Sequence, residues 1–394
     1  MYTRAQALQS MTPDPDAPKT RSRARDIENT AFRDSTSRAS LSEYDKRCQA
    51  ARINSQSDSP FQYTNDEQSL PSLTKHTDKP SRALGPYNAC YHHYSGLFST
   101  IYTTTCPTSP TGLLTIKAVS PGSESPPHDS QREARILTSL SHPNILHLTS
   151  THTITSSPST LFLLTYPFQP FTLSDLLDST THKIPNSILN DLFSALAHIH
   201  AKGILHRDIK PSNILLSSFS GSAVLTDFGV AWSPTDGASE PAVQKIMEVG
   251  TTCYRPPELL FGCRNYREGV DLWAAGCVAA EIFVHNASLV GKGGKGHRTG
   301  EEEQWTLFDA GELGSELALV KSIFETLGTP NEQTWPEGKG LPDWGKMQFV
   351  EFPGKGWEEI LPGVGEKERQ AVSSLIKYES VERSRAVAVS SLLL

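Results

Sequence analysis

One short stretch of this chain constrains its fold more than any other, because it sets charged and amide side chains at close intervals. The sequence HRDIKPSN begins at His206, and the sequence DFG begins at Asp227. Asp208 can accept a proton from a hydroxyl group, and Lys210 can stabilise a phosphate group during its transfer. Asn213 and Asp227 offer oxygen atoms, the ligands that Mg²⁺ prefers. The stretch therefore predicts a site for a metal–triphosphate and a hydroxyl acceptor in line.

These two motifs resemble the catalytic loop and the metal-binding loop of eukaryotic protein kinases. The alternative, an ordinary charged turn, rarely matches at this length and spacing. The resemblance extends over roughly residues 90–390. It implies an α+β, bilobal kinase fold, with a small antiparallel-sheet N-lobe, one main helix in that lobe, and a larger helical C-lobe. It also implies serine/threonine kinase activity with ATP and Mg²⁺ as cofactors. In that scheme Asp208, Lys210 and Asn213 are catalytic, and Asn213 and Asp227 bind the metal.

Composition divides the chain into a polar tail and a folded domain. Residues 1–84 are rich in Ser, Thr, Arg, Asp and Pro, and they have too few large apolar side chains to form a core. We therefore expect a disordered tail. The kinase-like domain is then 85–394, with an N-lobe over about 85–166 and a C-lobe over about 169–394. The Gly/Lys-rich and then Glu-rich segment 285–304 predicts a flexible surface insertion.

The formal charge of −7 argues against one class of partner. Residues 1–80 hold 12 Lys+Arg and 11 Asp+Glu, so the acidic excess lies in the rest of the chain. Nucleic acid is not expected as a partner, because phosphate binding requires a positive surface. No apolar run long enough to span a membrane is apparent, so no membrane association is expected. The basic run 19–25 is either a nuclear import signal or a solvated patch, and the expected location is the nucleus, the cytoplasm or both.

Hydrophobic periodicity predicts the main elements of both lobes. A helix is predicted from Ser130 to Leu140, opened by Asp129. An apolar stripe from Leu189 to Ile199 predicts a second, amphipathic helix. The nearly all-apolar run Val270–Phe283 predicts a buried one. The predicted strands of the N-lobe are Gly96–Thr103, Leu113–Val119, Ile145–Thr151 and Leu161–Thr165.

An inward-facing lysine is the first candidate for nucleotide binding. Period 2 on the strand 113–119 puts Lys117 on the face that points into the lobe, where an ammonium needs a carboxylate partner. Glu133, on the only helix predicted there, is the candidate partner. Each residue alone is more often a surface charge, but the resemblance implies that the pair holds the α- and β-phosphates. Of the kinase G-x-G-x-x-G loop only Gly96 remains, with Tyr94 and Ser99 at the outer positions. This loss restricts backbone approach to the phosphates.

The resemblance also implies how the adenine is held. Ile101 is expected above the base and Leu215 below it. Thr165 is expected at the back of the adenine pocket, and Phe168 is expected to present backbone groups to the base. The run around Thr165 can equally be a plain core strand, and the two interpretations are compatible.

Further residues are expected to hold the active site in shape. Glu258 should pair with a buried arginine near the end of the domain, and Arg383 lies at the expected place. Thr251 can bond the catalytic aspartate and lysine. Asp271, at the start of the buried helix, can accept backbone N–H groups of the turn that begins at His206.

Several sequence features resemble the cyclin-dependent-kinase-like (CMGC) group. They include the sequence YRPPE from Tyr254 and the run that ends in ETLGTP at Pro330. Members of that group carry a phosphorylatable threonine in the activation segment, and three arginines bind its phosphate. Here Ile246 lies near the position of the threonine. Arg132 and Arg207 match two of the arginines, and Trp232 replaces the third. Activation by phosphate at that place is therefore not expected.

Other departures concern partners and specificity. Leu97 and Phe98 replace the inhibitory Thr-Tyr pair, and the cyclin-recognising helix sequence survives only as DSQRE from Asp129. Gly250 replaces a valine whose left-handed backbone favours proline after the target residue, so a preference for proline is left open. The combination is similar to fungal single-subunit kinases that phosphorylate and activate cyclin-dependent kinases. Such a protein would be a monomer that acts on protein substrates, with cyclin-dependent kinases as the expected target.

Two other functional hypotheses remain open from the sequence. The eroded glycine loop is compatible with a pseudokinase scaffold that binds nucleotide weakly. The five retained polar residues oppose that interpretation, because a scaffold does not need them (Lys117, Glu133, Asp208, Asn213 and Asp227). The second alternative keeps the chemistry but requires a cyclin.

Overall fold

The structure, a computed structural model, describes residues 82–109, 111–156, 159–179, 181–291, 305–311 and 314–393. The predicted tail as far as residue 81 lies outside the described residues, as does most of the predicted insertion, 292–304. The described residues form a small sheet lobe followed by a larger helical lobe. The predicted α+β, two-lobed architecture is confirmed.

The first lobe is one antiparallel sheet with a helix packed on it. The main helix of the lobe, α1, spans Ser130–Thr138. Asp129 caps this helix by accepting a hydrogen bond from the backbone N–H of Arg132 at 2.8 Å. The strands are β1 (Arg82–Leu84), β2 (Tyr87–Ser95), β3 (Ser99–Thr105), β4 (Leu113–Val119), β5 (Ser150–Ser156) and β6 (Ser159–Pro167). Their order in the sheet is β1-β2-β3-β4-β6-β5.

The sheet differs from its predicted strands at three places. The prediction of a strand at Ile145–Thr151 is wrong except at its end, because regular pairing begins at Ser150. Ile145 forms only an isolated parallel bridge with Leu225. Its apolar side chain packs in the hydrophobic core. Gly96 lies in the turn before β3, where its N–H donates to the carbonyl of Ser99 at 2.8 Å. The sheet also includes residues 82–84, which composition assigns to the tail.

The second lobe combines a small sheet with a set of helices. Its strands β7 (Phe171–Thr172), β8 (Ile214–Leu216) and β9 (Ala223–Leu225) pair in that order. Short 3₁₀ turns connect several elements, including the one at Pro211–Asn213. The helices are α2 (Leu173–Leu177), α3 (Ser187–Ala201), α4 (Pro257–Leu260), α5 (Gly269–Leu289), α6 (Glu316–Leu327), α7 (Trp357–Ile360), α8 (Glu366–Leu375) and α9 (Ala386–Leu393).

Helix α5 is the centre of the second lobe. It is buried on nearly every side, which explains its lack of a polar face. Among the described residues it is the one helix long and apolar enough to cross a membrane, and 78% of that apolar window is buried inside the protein. The helix runs through residues 285–289, so the start of the predicted insertion is helical. Asn286 holds this last part by bonding both backbone groups of Ile184 at 2.8 Å.

Candidate active site

Three charged side chains from both lobes meet at one point. The Nζ of Lys117 on β4 lies 2.8 Å from Oε2 of Glu133 on α1 and 2.7 Å from Oδ1 of Asp227. Burial by itself lowers the pKa of Lys117, but the carboxylates of Asp227 and Glu133 outweigh it and raise that pKa above its usual 10.5. The Lys117 ammonium in turn lowers the pKa of Asp227. The lysine is therefore fixed as a cation that can bind phosphate oxygens.

A second cluster surrounds the carboxylate of Asp208. The hydroxyl of Thr251 donates to Asp208 Oδ1 at 2.8 Å, and Lys210 Nζ donates to the Thr251 Oγ1 at 2.9 Å. The Lys210 ammonium also lies 2.8 Å from Asp208 Oδ2. Asn213 Nδ2 donates to the Asp208 carbonyl at 2.8 Å and to Oδ2 at 3.1 Å. These contacts orient one carboxylate as a proton acceptor and keep a cation beside it.

The two clusters share one cleft. The backbone N–H of Thr226 donates to the carbonyl of Asn213 at 3.0 Å, which fixes the strand end before Asp227 against the catalytic turn. The charge of Lys210 also contributes to the lowered pKa of Asp227, after the larger effect of Lys117. The structure thus brings together the residues that the motifs predict to converge.

The backbone of the site departs from ordinary conformations at two non-glycine residues. Arg207 has a φ of 69° and Asp227 a φ of 61°, in the left-handed region that L-residues rarely adopt. Asp271 holds the first of these turns, because its buried carboxylate accepts the N–H of His206 at 2.9 Å and that of Arg207 at 2.8 Å. These two hydrogen bonds are the contacts predicted from the sequence. They help to offset the cost of the left-handed backbone at Arg207.

The predicted adenine residues lie on both sides of the cleft. Ile101 is the β3 partner of Lys117, so both side chains point to the same face of the sheet. Leu215 lies on β8 in the second lobe and is half-buried. Phe168 follows the end of β6 at the connection between the lobes, with its ring 6.3 Å from that of His93. The roles of these residues toward a base stay predictions.

The structure corrects the placement of Thr165. On β4 and β6, Lys117 lies opposite Leu164, whereas Thr165 lies opposite Ile116 on the other face. The Thr165 hydroxyl is fully buried there, 2.9 Å from the hydroxyl of Tyr87. Thr165 therefore lies behind the sheet, outside the cleft.

The next residue, Tyr166, lies on the cleft side of the sheet instead. Its hydroxyl donates to Oε1 of Glu133 at 3.2 Å, on the cleft side of the sheet. Burial strongly raises the pKa of Tyr166, so the phenol stays a donor to the carboxylate. In the sequence, Tyr166 lies in a mostly apolar run, and such a run does not indicate which face of the sheet each residue takes.

The loop that carries Gly96 contacts another part of the first lobe through an aromatic pair. Gly96 occupies the turn itself, while Leu97 beside it is 72% exposed. The ring of Phe98 lies 4.4 Å from the ring of His128. The loop therefore keeps its single glycine in the turn, and Phe98 contacts an aromatic ring just before α1.

The donor set fits a magnesium ion that is bound together with substrate phosphates. Both hydrogen bonds of the Asn213 amide described above use its nitrogen, which leaves Oδ1 as an acceptor. The side chain of Asp227 is 45% exposed and bonds Lys117 through Oδ1. Within the described part of the chain, no group of three or more His, Cys, Asp or Glu side chains could hold a metal. One carboxylate oxygen and one amide oxygen suit Mg²⁺ when substrate phosphates and water supply its other ligands.

The activation segment between Asp227 and Glu258 is anchored at its end. Glu258 forms a bidentate pair with Arg383, at 2.5 Å and 2.8 Å, and both side chains are buried. This is the predicted partner. Gly250 has a φ of 80°, the left-handed conformation that the resemblance expects at this position.

Comparisons with known proteins agree with this geometry. The family model of the protein kinase domain matches residues 95–338. The chain is 40% identical over 256 residues to the serine/threonine-protein kinase csk1 of Schizosaccharomyces pombe, an alignment that covers 65% of this chain and 77% of that protein. It is 32% identical over 296 residues to cyclin-dependent kinase 7 of Carassius auratus, covering 74% of this chain and 77% of that protein.

Proposed function

The chain belongs to the protein kinase family, as a serine/threonine kinase of the cyclin-dependent-kinase-like group, and we propose that it phosphorylates the activation segment of cyclin-dependent kinases without a cyclin of its own. Support comes from the similarity to the two kinases named above and from the sequence departures at Leu97, Phe98 and Ile246. The observation that supports activity without a cyclin is that Glu133 already contacts Lys117 in the single chain, while the proposed substrate rests on the similarity to the two kinases.

The residues divide the reaction between them. Asp208 orients the acceptor hydroxyl and takes its proton, while Lys210 offsets the charge that develops on the transferred phosphoryl group. Lys117 positions the α- and β-phosphates, Glu133 holds Lys117 in place, and Tyr166 holds Glu133. Asn213 and Asp227 would hold Mg²⁺, which neutralises phosphate charge when bound. Positioning and charge stabilisation provide most of the rate enhancement.

The direct test uses the purified chain alone. It is incubated with Mg·ATP and an unphosphorylated cyclin-dependent kinase, and the modified residue is mapped by mass spectrometry. We expect one phosphate on a serine or threonine of the target's activation segment. The Asp208→Asn protein is the matched control, since it keeps the shape of the side chain but loses the proton acceptor.

Each other result removes a defined part of the proposal. Equal phosphate incorporation by the wild-type and Asp208→Asn proteins would contradict phosphoryl transfer by this site. Activity that appears only after a cyclin is added would contradict the single-chain mechanism. Activity on a generic basic protein but none on the cyclin-dependent kinase would contradict the proposed substrate.

A further inference from the structure

Two buried arginines from opposite lobes flank the active site, and each is the neighbour in sequence of a residue in the proposed mechanism. Arg132 precedes Glu133 on α1, and Arg207 precedes Asp208 in the catalytic loop. Both arginine residues are 3% exposed. Two guanidinium groups buried near each other require an anion, because otherwise desolvation and mutual repulsion are uncompensated.

The anion is the carboxylate of Glu240, in the activation segment. Its Oε1 accepts a hydrogen bond from Arg207 Nη1 at 2.9 Å, and its Oε2 lies 3.9 Å from Arg132 Nη1. Burial alone would raise the pKa of Glu240, but the two arginines outweigh it and the pKa lies below its usual 4.5. The carboxylate is therefore ionised at neutral pH.

The segment that carries Glu240 is itself fixed. The indole N–H of Trp232 donates to the carbonyl of Glu240 at 2.8 Å. Trp232 in turn pairs with Leu205, just before the catalytic loop, through two backbone hydrogen bonds of 2.9 Å. The ammonium of Lys245 lies 4.5 Å from the Trp232 ring. The carboxylate is thus presented by a segment that is bonded to the backbone pair Leu205–Trp232 before the catalytic loop.

Two more contacts join the same segment to α1. The N–H of Asp129 donates to the carbonyl of Gly229 at 3.0 Å. Arg135 bonds Asp236 through Nε at 2.6 Å and through Nη2 at 3.1 Å. Positions 132 and 135 are three residues apart, so their side chains lie on one side of the helix, and residue 129 is its N-cap. That side of α1 therefore faces the activation segment of its own chain.

We propose that Glu240 is a positioning residue that joins α1 to the catalytic loop, so that the active arrangement forms without a phosphate on the activation segment. The proposal rests on the proposed function and deepens it, since it concerns the regulation of the same site. A residue without a hydroxyl, Ile246, lies where the resemblance expects the phosphate acceptor. A permanent carboxylate here removes the need for that modification.

The first test replaces the carboxylate in two ways. We expect Glu240→Ala to lower kcat on a generic basic protein substrate by about tenfold or more, because small displacements of catalytic groups are costly. Hydrogen exchange of the α1 backbone should become faster in the same protein. Glu332→Gln is the matched control, since Glu332 forms an exposed pair with Lys339 and is expected to change neither measurement.

Chemical rescue separates positioning from general damage to the fold. Glu240→Ala leaves space between the two arginines, whereas Glu240→Gln fills that space with a neutral group. Potassium sulfate, compared with potassium chloride at equal ionic strength, should raise kcat of the Glu240→Ala protein and slow its α1 exchange. It should do neither for the Glu240→Gln protein.

Three outcomes would overturn the proposal. One is wild-type kcat and wild-type α1 exchange in the Glu240→Ala protein. Another is the absence of any sulfate effect that is specific to that variant. The third is a wild-type enzyme that loses activity when phosphatase removes phosphate from its activation segment. A wild-type protein that is inactive on every substrate would contradict the proposed function, and the exchange measurements would still decide the role of Glu240.

Discussion

Replacement of Asp271 by asparagine should damage both stability and catalysis, although the two side chains have the same shape. The carboxylate is 1% exposed and accepts the N–H groups of His206 and Arg207 on different oxygens. His200 Nε2 lies 2.9 Å from the same Oδ2 that accepts from His206. An asparagine has only one oxygen, so its NH₂ group must face one of these N–H donors.

The magnitude follows from that count of donors. Bonds to a charged acceptor contribute about 1.5 to 3 kcal/mol each, and a buried donor left unpaired costs about 1 to 3 kcal/mol. In the asparagine variant, two of the three hydrogen bonds lose their charged acceptor and the third is lost completely. The free energy of unfolding should therefore fall by about 3 to 5 kcal/mol. For a domain of roughly 300 residues, the melting temperature should fall by about 5 to 8 °C. Because the turn sets the position of Asp208, kcat should fall by about 10²-fold.

The assay compares thermal unfolding and initial rates of Asp271→Asn with those of Asp343→Asn. Asp343 forms an exposed pair with Lys346 at 2.7 Å, so the same chemical change should have little effect there. A melting temperature within about 2 °C of wild type for Asp271→Asn would refute the reasoning. Lowered stability with unchanged kcat would show that the turn does not control the position of Asp208.

The same contacts give a sign for the dependence of stability on pH. Burial alone raises the pKa of Asp271, but hydrogen bonds and charge from His200 and His206 outweigh it, and the pKa lies below its usual 3.8. A carboxyl with a lowered folded-state pKa stabilises the fold above its unfolded pKa and loses that contribution as the pH falls through the folded value. The stability difference between wild type and Asp271→Asn should therefore be complete near neutral pH and shrink below pH 3.8.

Three further changes test other parts of the site and its support. Arg383→Ala leaves the buried carboxylate of Glu258 unpaired and should lower the free energy of unfolding by about 3 to 5 kcal/mol, measured by urea denaturation; an unchanged midpoint would contradict this. Glu133→Gln removes one of the two anions that hold Lys117 and should raise the Kd for ATP about tenfold in calorimetry, whereas unchanged affinity would show that Asp227 alone suffices. Gly250→Val must adopt a φ of 80° and should destabilise the fold by about 1 to 2 kcal/mol; a valine variant as stable as wild type would show that the turn relaxes.

The sequence could predict contacts that local periodicity or strong charge chemistry determines. Strand alternation assigns Lys117 to the face of the sheet that points into the lobe. A buried ammonium then requires an acid on the only helix predicted nearby. The pairing with Glu133 follows from those two facts. The spacing within the catalytic turn similarly placed Asp208 and Lys210 together. Asp208 and Lys210 are separated by one residue, and the predicted helix presents only one suitable acid to Lys117.

The pairing register between strands cannot be predicted in the same way. The run around Thr165 is apolar on both faces, so alternation does not mark which residues face the cleft. A shift of one residue moves a side chain through the sheet, which is why Tyr166 rather than Thr165 reaches Glu133. Only the packing of the opposite face decides between them. There the Tyr87 hydroxyl provides the partner for the buried Thr165 hydroxyl.

The role of Glu240 could not be predicted for a related reason. Its partners Arg132 and Arg207 come from two other segments, and no local pattern links the three positions. The resemblance indicated an unfilled site by the absence of a phosphate acceptor, but not the residue that supplies the charge. That residue could be assigned only once the fold had brought the segments together.

The strained residues of the site explain why its activity and its stability should be coupled. Arg207 and Asp227 each occupy a left-handed conformation, at a cost of about 1 to 3 kcal/mol per residue. The contacts that hold them there are the ones that position the site, Asp271 for the first and Lys117 for the second. A variant that loses Lys117 therefore frees Asp227 to relax, and the relief of strain offsets part of the lost ion pair. Catalysis should have no such offset, because a relaxed side chain would leave the position from which Asp227 is proposed to hold Mg²⁺.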